Sequence, residues 1–167
     1  MLLPASQWGA GILGFGPEDV AFSASKCSFA YGLMSSVSLA LHFGATAVLH
    51  SGRPGPYEIL ETISRCRPTV FFGVPTLYGQ LLRAYEPDKA GTPGMDLSSL
   101  RLCYSAGEAL PEALCRQWRA VTGVEILDGI GSTEAFNLFI SNRPGRVRCG
   151  TSGESVPWFE LRLRDEA

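Results

Sequence analysis

Residues 69–82 read TVFFGVPTLYGQLL, and this stretch decides the fold. Val70, Phe71 and Phe72 form a β-branched and aromatic run with no polar residue between them, which is the composition of a strand buried on both faces. Pro75 then opens a helix, because its fixed φ suits the first helical turn and its missing N–H has no partner to lose there. Leu77, Tyr78, Leu81, Leu82 and Tyr85 recur at helical spacing and predict that helix's buried stripe. A strand without a solvent face needs helices on both sides of its sheet, so the neighbouring segments should alternate strand and helix.

They do. Upstream, residues 20–23 and 46–49 read as strands, separated by an apolar helix over 31–41 that ends near Gly44. A turn at 54–56 starts a helix whose Ile59, Leu60, Ile63 and Cys66 share one face, until Arg67 and Pro68 stop it. Downstream, 87–96 is a polar loop and 100–105 a strand. Pro111 takes a first helical position before Leu114, Trp118 and Val121, Gly123 ends that helix, and 125–127 is the fifth strand. From Arg146 the chain changes to short segments broken by Gly150, Gly153 and Pro157, with 160–164 predicted as antiparallel β. The fold class expected is α/β, a mostly parallel sheet with helical crossovers over 1–145, followed by a β-rich tail over 146–167.

Composition narrows the function. The chain has 167 residues, 46% of them hydrophobic, and a formal net charge of −2 with no Lys/Arg block, which disfavours a nucleic-acid partner. No apolar run reaches the ~20 residues that span a bilayer. The start, MLLPASQWGAG, lacks the basic flank and cleavage pattern of a secretory signal, so a soluble, cytoplasmic chain is expected. Five widely spaced cysteines, two histidines and no CxxC predict neither a disulfide framework nor a zinc site; Cys27, Cys66, Cys103, Cys115 and Cys149 read as small buried hydrophobes.

In parallel sheets ligands collect beyond the carboxyl ends of the strands, where backbone donors are free. Two post-strand segments fit: SAGEALP at 105–111 and DGIGSTE at 128–134. In the second, Gly129 and Gly131 permit close backbone approach, Ser132 and Thr133 offer hydroxyl donors, and Glu134 is a ligand for a hard cation. Those features suit a nucleotide phosphate, and equally an ordinary capped turn. There is no GxxxxGK[ST], no GxGxxG after a strand and no GxSxG, so P-loop, Rossmann and α/β-hydrolase chemistries lack their central residues.

The ordered set FSASKCSFAYGL, GVPTLY, SAGEALP, EILDGIGSTE, SNRPG and GTSGESVPWFELRLRDE resembles the adenylate-forming acyl-CoA synthetases, and most of all benzoate-CoA and related aryl-CoA ligases. The resemblance implies part of the large N-terminal domain of such an enzyme. The implied reaction joins a benzoate-like acid to coenzyme A, with ATP and Mg²⁺, through an acyl-adenylate. It implies that Ala30, Tyr31 and Gly32 form the acid pocket, Tyr31 being an aromatic gate that excludes water from the mixed anhydride. Ile130 and Gly131 also line that pocket, and Ala106, Gly107, Glu108, Asp128 and Gly129 surround the nucleotide. Thr133 and Glu134 are the catalytic pair, Thr133 donating to the α-phosphate and Glu134 holding Mg²⁺. Other roles stay open for several of these: Tyr31 as a core aromatic, Glu108 as a solvated acid at a helix start, Asp128 as a turn acceptor. Val74 and Pro75 resemble a segment near the pantetheine path, and read equally well as a strand-end turn.

Some family features have no counterpart in the sequence. The Ser/Thr/Gly-rich phosphate loop that the family places before FAYG, its Thr-Gly-Asp ribose segment and its catalytic lysine do not occur, and Trp158 stands where relatives carry a small residue. The chain is therefore most like an internal portion of a synthetase, expected to be inactive alone, with Trp158 a surface or partner-facing aromatic. The competing expectation is a non-catalytic module that binds nucleotide or aryl acid, or that docks the missing parts of a synthetase or a second copy through an exposed sheet edge.

Overall fold

A computed structural model describes residues 2–85, 95–135 and 137–165. The elements are α1 (Leu2–Gly11), β1 (Val20–Ser23), α2 (Ala30–Leu33), α3 (Leu39–Phe43), β2 (Thr46–Val48), α4 (Pro56–Cys66) and β3 (Val70–Gly73), then α5 (Pro75–Ala84), β4 (Leu102–Ala106), α6 (Glu112–Thr122), β5 (Ile126–Ser132), β6 (Asn137–Ser141) and β7 (Glu154–Ser155). A π-helical turn, Met34–Ser38, joins α2 to α3. The seven strands form one sheet in the order β2-β1-β3-β4-β5-β6-β7. The first four pairings are parallel; β6 and β7 add antiparallel.

The double-Phe strand explains the layering. Phe71 and Phe72 are both fully buried yet belong to separate cores, because successive side chains leave a strand on opposite faces. Phe72 packs with Trp8 of α1 and Tyr104 of β4, and Phe71 packs with Phe22 and Tyr78. On that second face Tyr78 stacks edge-on against Trp118 of α6, their centroids 4.9 Å apart. Helix α4 starts where Glu58 reaches back to accept from the Gly55 N–H at 2.7 Å, with Pro56 opening the first turn. At the amino ends of β1, β3 and β4, Asp19 accepts from Arg101 Nε at 2.9 Å and Nη2 at 2.8 Å, from Thr69 Oγ1 at 2.5 Å and from the Gly16 N–H at 2.9 Å. Burial acts to raise the Asp19 carboxyl pKa, but these hydrogen bonds outweigh it and hold the group below its ordinary value.

Several expectations change. Pro111 is the residue before α6 rather than its first, and the buried stripe of α6 runs through Cys115 and Trp118 while Val121 is exposed. Helix α1 and strand β6 had no counterpart in the sequence reading. Residues 160–164 form no strand, and the antiparallel pairing of the tail comes instead from Glu154 and Ser155 on β6. Trp158 is not a surface aromatic: it packs against the core beside Gly11. The cysteine reading is corrected at two positions, since Cys115 and Cys149 form a disulfide, with Cα atoms 5.7 Å apart. Helix α6 and the loop after β6 lie side by side, a contact that spacing of 34 residues could not reveal. Cys103 is the buried thiol expected, pushed up to about 12 by burial; Cys66 is half-buried and Cys27 is exposed. The loop predicted at 87–96 falls largely outside the described residues.

Candidate active site

The carboxyl ends of β3, β4 and β5 open on one side of the sheet, where α2 packs across them. Gly73 and Ser105 are paired in register, as are Ala106 and Gly129. A cleft of about 170 Å³ forms there, walled by Ala30, Tyr31 and Met34 on one side and by Ala106, Gly107 and Leu138 on the other. Gly131, Ser132 and Thr133 make its polar rim.

Tyr31 is fixed in this wall. Its hydroxyl donates to the carbonyl oxygens of Gly73, at 3.3 Å, and Tyr104, at 3.2 Å, and its ring meets Phe72 edge-on. Burial, with the nearby Tyr104 and Asp128, raises the phenol well above its ordinary pKa, so it remains a hydrogen-bond donor. Tyr31, Ala106 and Gly107 also line a second cleft of about 520 Å³, which reaches Lys26, Arg53 and Val74. The tyrosine is thus the partition between the two spaces. Gly32 lies behind it, where a Cβ would stand 2.2 Å from the Lys26 carbonyl oxygen, so its role is to let backbones touch and not to line the cleft. Ser35 and Ser36 donate to the carbonyls of Tyr31 and Gly32, at 2.6 and 2.5 Å, within the π-helical turn that follows.

The segment 128–134 differs from the turn expected. Strand β5 continues through Asp128, Gly129, Ile130 and Gly131 to Ser132, because β6 returns antiparallel beside it and pairs its backbone. A bulge between Ile130 and Gly131 breaks the alternation, so that three successive residues, Gly131 to Thr133, face the cleft. The turn is held by the Ala135 N–H donating to Ser132 Oγ at 3.2 Å. Ile130 turns outward and is 44% exposed, away from the cleft. Gly129 sits inside the sheet, and Asp128 is buried beneath it, its Oδ2 accepting from Ser152 Oγ at 3.0 Å. Asp128 Oδ1 is buried with no hydrogen bond of good geometry among the described residues, and burial raises this carboxyl pKa against the pull of Ser152. Glu108 is exposed and accepts from Thr76 Oγ1 at 3.2 Å, outside the cleft wall.

Glu134 is an exposed carboxylate following Thr133 at the rim, and among the described residues no three His, Cys, Asp or Glu side chains gather into a cluster. This donor set is too sparse for an all-protein metal cage. It fits Mg²⁺, which is ordinarily held by one or two carboxylates together with phosphate oxygens and water. Met34 and Leu138 escaped the sequence reading as wall residues. Met34 lies one helical turn beyond Ala30 and Tyr31, so its spacing carried the signal; Leu138 belongs to β6, whose only signal was the short β-prone run 138–140.

The family follows from these positions and from comparison. The AMP-binding enzyme family model matches residues 4–167, and the chain belongs to that family. It is 49% identical over 162 residues to the benzoate–CoA ligase of Thauera aromatica, covering 97% of this chain and 30% of that protein. Among solved structures, an anthranilate CoA ligase, AuaEII, in complex with anthranoyl-AMP superposes with a TM-score of 0.89 at 42% identity, covering 99% of this chain and 31% of the other. A benzoate CoA ligase from Burkholderia xenovorans LB400 gives 0.88 at 44% identity, covering 98% and 32%. The chain is homologous to aryl-CoA ligases and spans about 30% of the length of the curated relatives it matches. No described helix is long and apolar enough to cross a membrane.

Proposed function

We propose that this chain carries the acyl-adenylate cleft of an aryl-CoA ligase acting on a benzoate-like acid, with ATP and coenzyme A as co-substrates in the cytoplasm. One observation carries the reading: three separate segments bring Tyr31, Gly107 and Thr133 to a single cleft whose interior is apolar and whose rim offers hydroxyls and bare backbone. An aryl ring fits the apolar part and an anionic phosphate the rim.

In the proposed reaction a carboxylate oxygen of the acid attacks the α-phosphorus of ATP and pyrophosphate leaves. The thiolate of coenzyme A then attacks the acyl carbon and AMP leaves. Thr133 donates to an α-phosphate oxygen as charge builds there. Tyr31 holds the ring's wall and keeps water from the mixed anhydride. Gly107, at φ +92°, bares its backbone to the base, whereas Asp128, buried outside the cleft lining, supports the strand beneath it. Glu134 would hold Mg²⁺, which when bound offsets phosphate charge. The larger cleft beyond Tyr31, reaching Val74, is the approach proposed for the thiol.

Titration calorimetry with a non-hydrolysable benzoyl-AMP analogue tests this on the 167-residue chain. Saturable 1:1 binding without pyrophosphate release from benzoate, ATP and Mg²⁺ is the expected result, since no phosphate loop or catalytic lysine motif occurs in this sequence. No heat from a chain shown to be folded would remove the nucleotide cleft, and release that survives Glu134→Ala would remove the metal assignment.

A further inference from the structure

We infer a second anion site, for a phosphate dianion, in the loop between β6 and β7. It shares no lining residue with the acyl-adenylate cleft. A small cavity of about 120 Å³ there is lined by Arg143, Arg146 and Arg148, with Asn142 and Gly153 at its base. It is large enough for one tetrahedral oxyanion and too small for a nucleotide.

Two properties separate this cluster from an ordinary solvated basic surface. First, its charge is only partly compensated: three arginines line the cavity with one carboxylate, that of Glu154. Among the described residues the side chains of Arg146 and Arg148 make no hydrogen bond or ion pair, and Arg143 has only a loose contact, 3.9 Å from Glu154. The nearby arginines of α6 are different: Arg116 pairs with Glu112 at 2.5 Å and Arg119 with Glu125 at 3.3 Å.

Second, the backbone that presents the three guanidinium groups is held from several directions. The Arg146 N–H donates to the Arg143 carbonyl at 3.0 Å, closing a turn that brings those two residues together. Buried Asn142 accepts from the Arg148 N–H through Oδ1 at 3.0 Å and donates through Nδ2 to the Thr151 carbonyl at 2.6 Å, while Thr151 Oγ1 donates to the Arg148 carbonyl at 3.0 Å. At the base, Gly153 has φ +94° and its missing Cβ would stand 2.2 Å from the Ser141 carbonyl oxygen, so the wall is pressed backbone to backbone. Guanidinium groups bind phosphate bidentately, and a backbone that already brings three arginines to one cavity lowers the entropic cost of gathering them, although the exposed side chains of Arg146 and Arg148 still have to order on binding. Arg148 also lines an adjoining open cleft of about 560 Å³ with Arg116 and Arg119, which leaves room for the remainder of a phosphate monoester.

Calorimetric titration of the full chain with inorganic phosphate and with phenyl phosphate, at constant ionic strength, tests the site. Saturable binding of phosphate alone identifies the free ion as ligand, and binding of both identifies the phosphoryl group; either supports the site. The double variant Arg146→Gln/Arg148→Gln should weaken binding by about tenfold or more, since two charge-assisted contacts go. Arg162→Gln/Arg164→Gln, which removes the same charge from exposed positions in the tail, should leave affinity unchanged, and Glu154→Gln should strengthen it by freeing Arg143. Thr133→Ala should have no effect. No saturable heat with either probe, equal loss in the two arginine pairs, or a loss that follows Thr133 instead, would overturn the second site while leaving the acyl-adenylate cleft to its own test.

Discussion

Gly129 lies directly against Tyr104: a Cβ on the glycine would stand 2.2 Å from the tyrosine hydroxyl, which itself shares a 2.6 Å hydrogen bond with Ser141. The same Cβ would meet the Ile140 carbonyl oxygen at 2.8 Å, so neither neighbour can simply yield. This glycine therefore lets β5 run unbroken beneath the cleft. Gly129→Ala should destabilise the chain by about 1–3 kcal/mol through overpacking. Urea unfolding of the two chains measures it; an unchanged midpoint would mean that the sheet relaxes without strain.

The Tyr31 hydroxyl is the donor to two backbone carbonyls at the cleft floor, Gly73 and Tyr104. Tyr31→Phe keeps the aromatic wall and removes the donor, with an expected cost of about 0.5–1.5 kcal/mol in thermal or urea unfolding. Binding of a benzoyl-AMP analogue should fall less in Tyr31→Phe than in Tyr31→Ala, because only the second change merges the two clefts. Equal losses would show that the hydroxyl, and not the ring, is what the ligand needs.

Asp19 gives the fold an acid-sensitive joint. Its carboxyl pKa is lower folded than its ordinary value near 3.9, so the stabilisation is full above that value and is lost as pH falls through the folded one. Arg101→Gln removes two of its donors and should cost about 2–3 kcal/mol at pH 7. The gap between the two chains should narrow as pH falls below the ordinary carboxylate range, where Asp19 protonates in both. Denaturant midpoints across pH 2–7 report it; a gap that stays constant would assign the loss to the Arg101 contacts with Leu13 and Gly14 instead.

The Cys115–Cys149 bond closes a loop of 34 residues. By the chain-entropy account such a crosslink is worth about 3–4 kcal/mol, so a reductant should lower the unfolding midpoint correspondingly. Cys115→Ser/Cys149→Ser should be insensitive to reductant. A reducing compartment favours the dithiol, and the cytoplasmic location proposed above would make the reduced chain the working form. Identical melts with and without reductant would show that the crosslink contributes nothing.

Much of the architecture was legible where the pattern was local. Phe71 and Phe72 announced a two-faced strand, Ile59, Leu60 and Ile63 a buried helix face, and Gly123 a helix end. What escaped was non-local. Strand β6 is fixed by its backbone pairing with β5; the apolar run 138–140 is β-prone but only three residues long, and with it read as part of a loop, 128–134 read as a turn. The disulfide escaped for the same reason. Within the site, Tyr31, Ala30, Gly107 and Thr133 were readable as motif residues that meet in one cleft, whereas Ile130 and Glu108 carry side chains that the bulge and the exposed loop turn elsewhere.

The most direct measurement is a crystal structure of this chain with a non-hydrolysable benzoyl-AMP analogue bound. The aryl ring is expected between Tyr31 and Leu138, with an α-phosphate oxygen within hydrogen-bond distance of the Thr133 hydroxyl. A ligand lodged elsewhere, or one whose phosphate lies out of reach of Thr133, would contradict that placement.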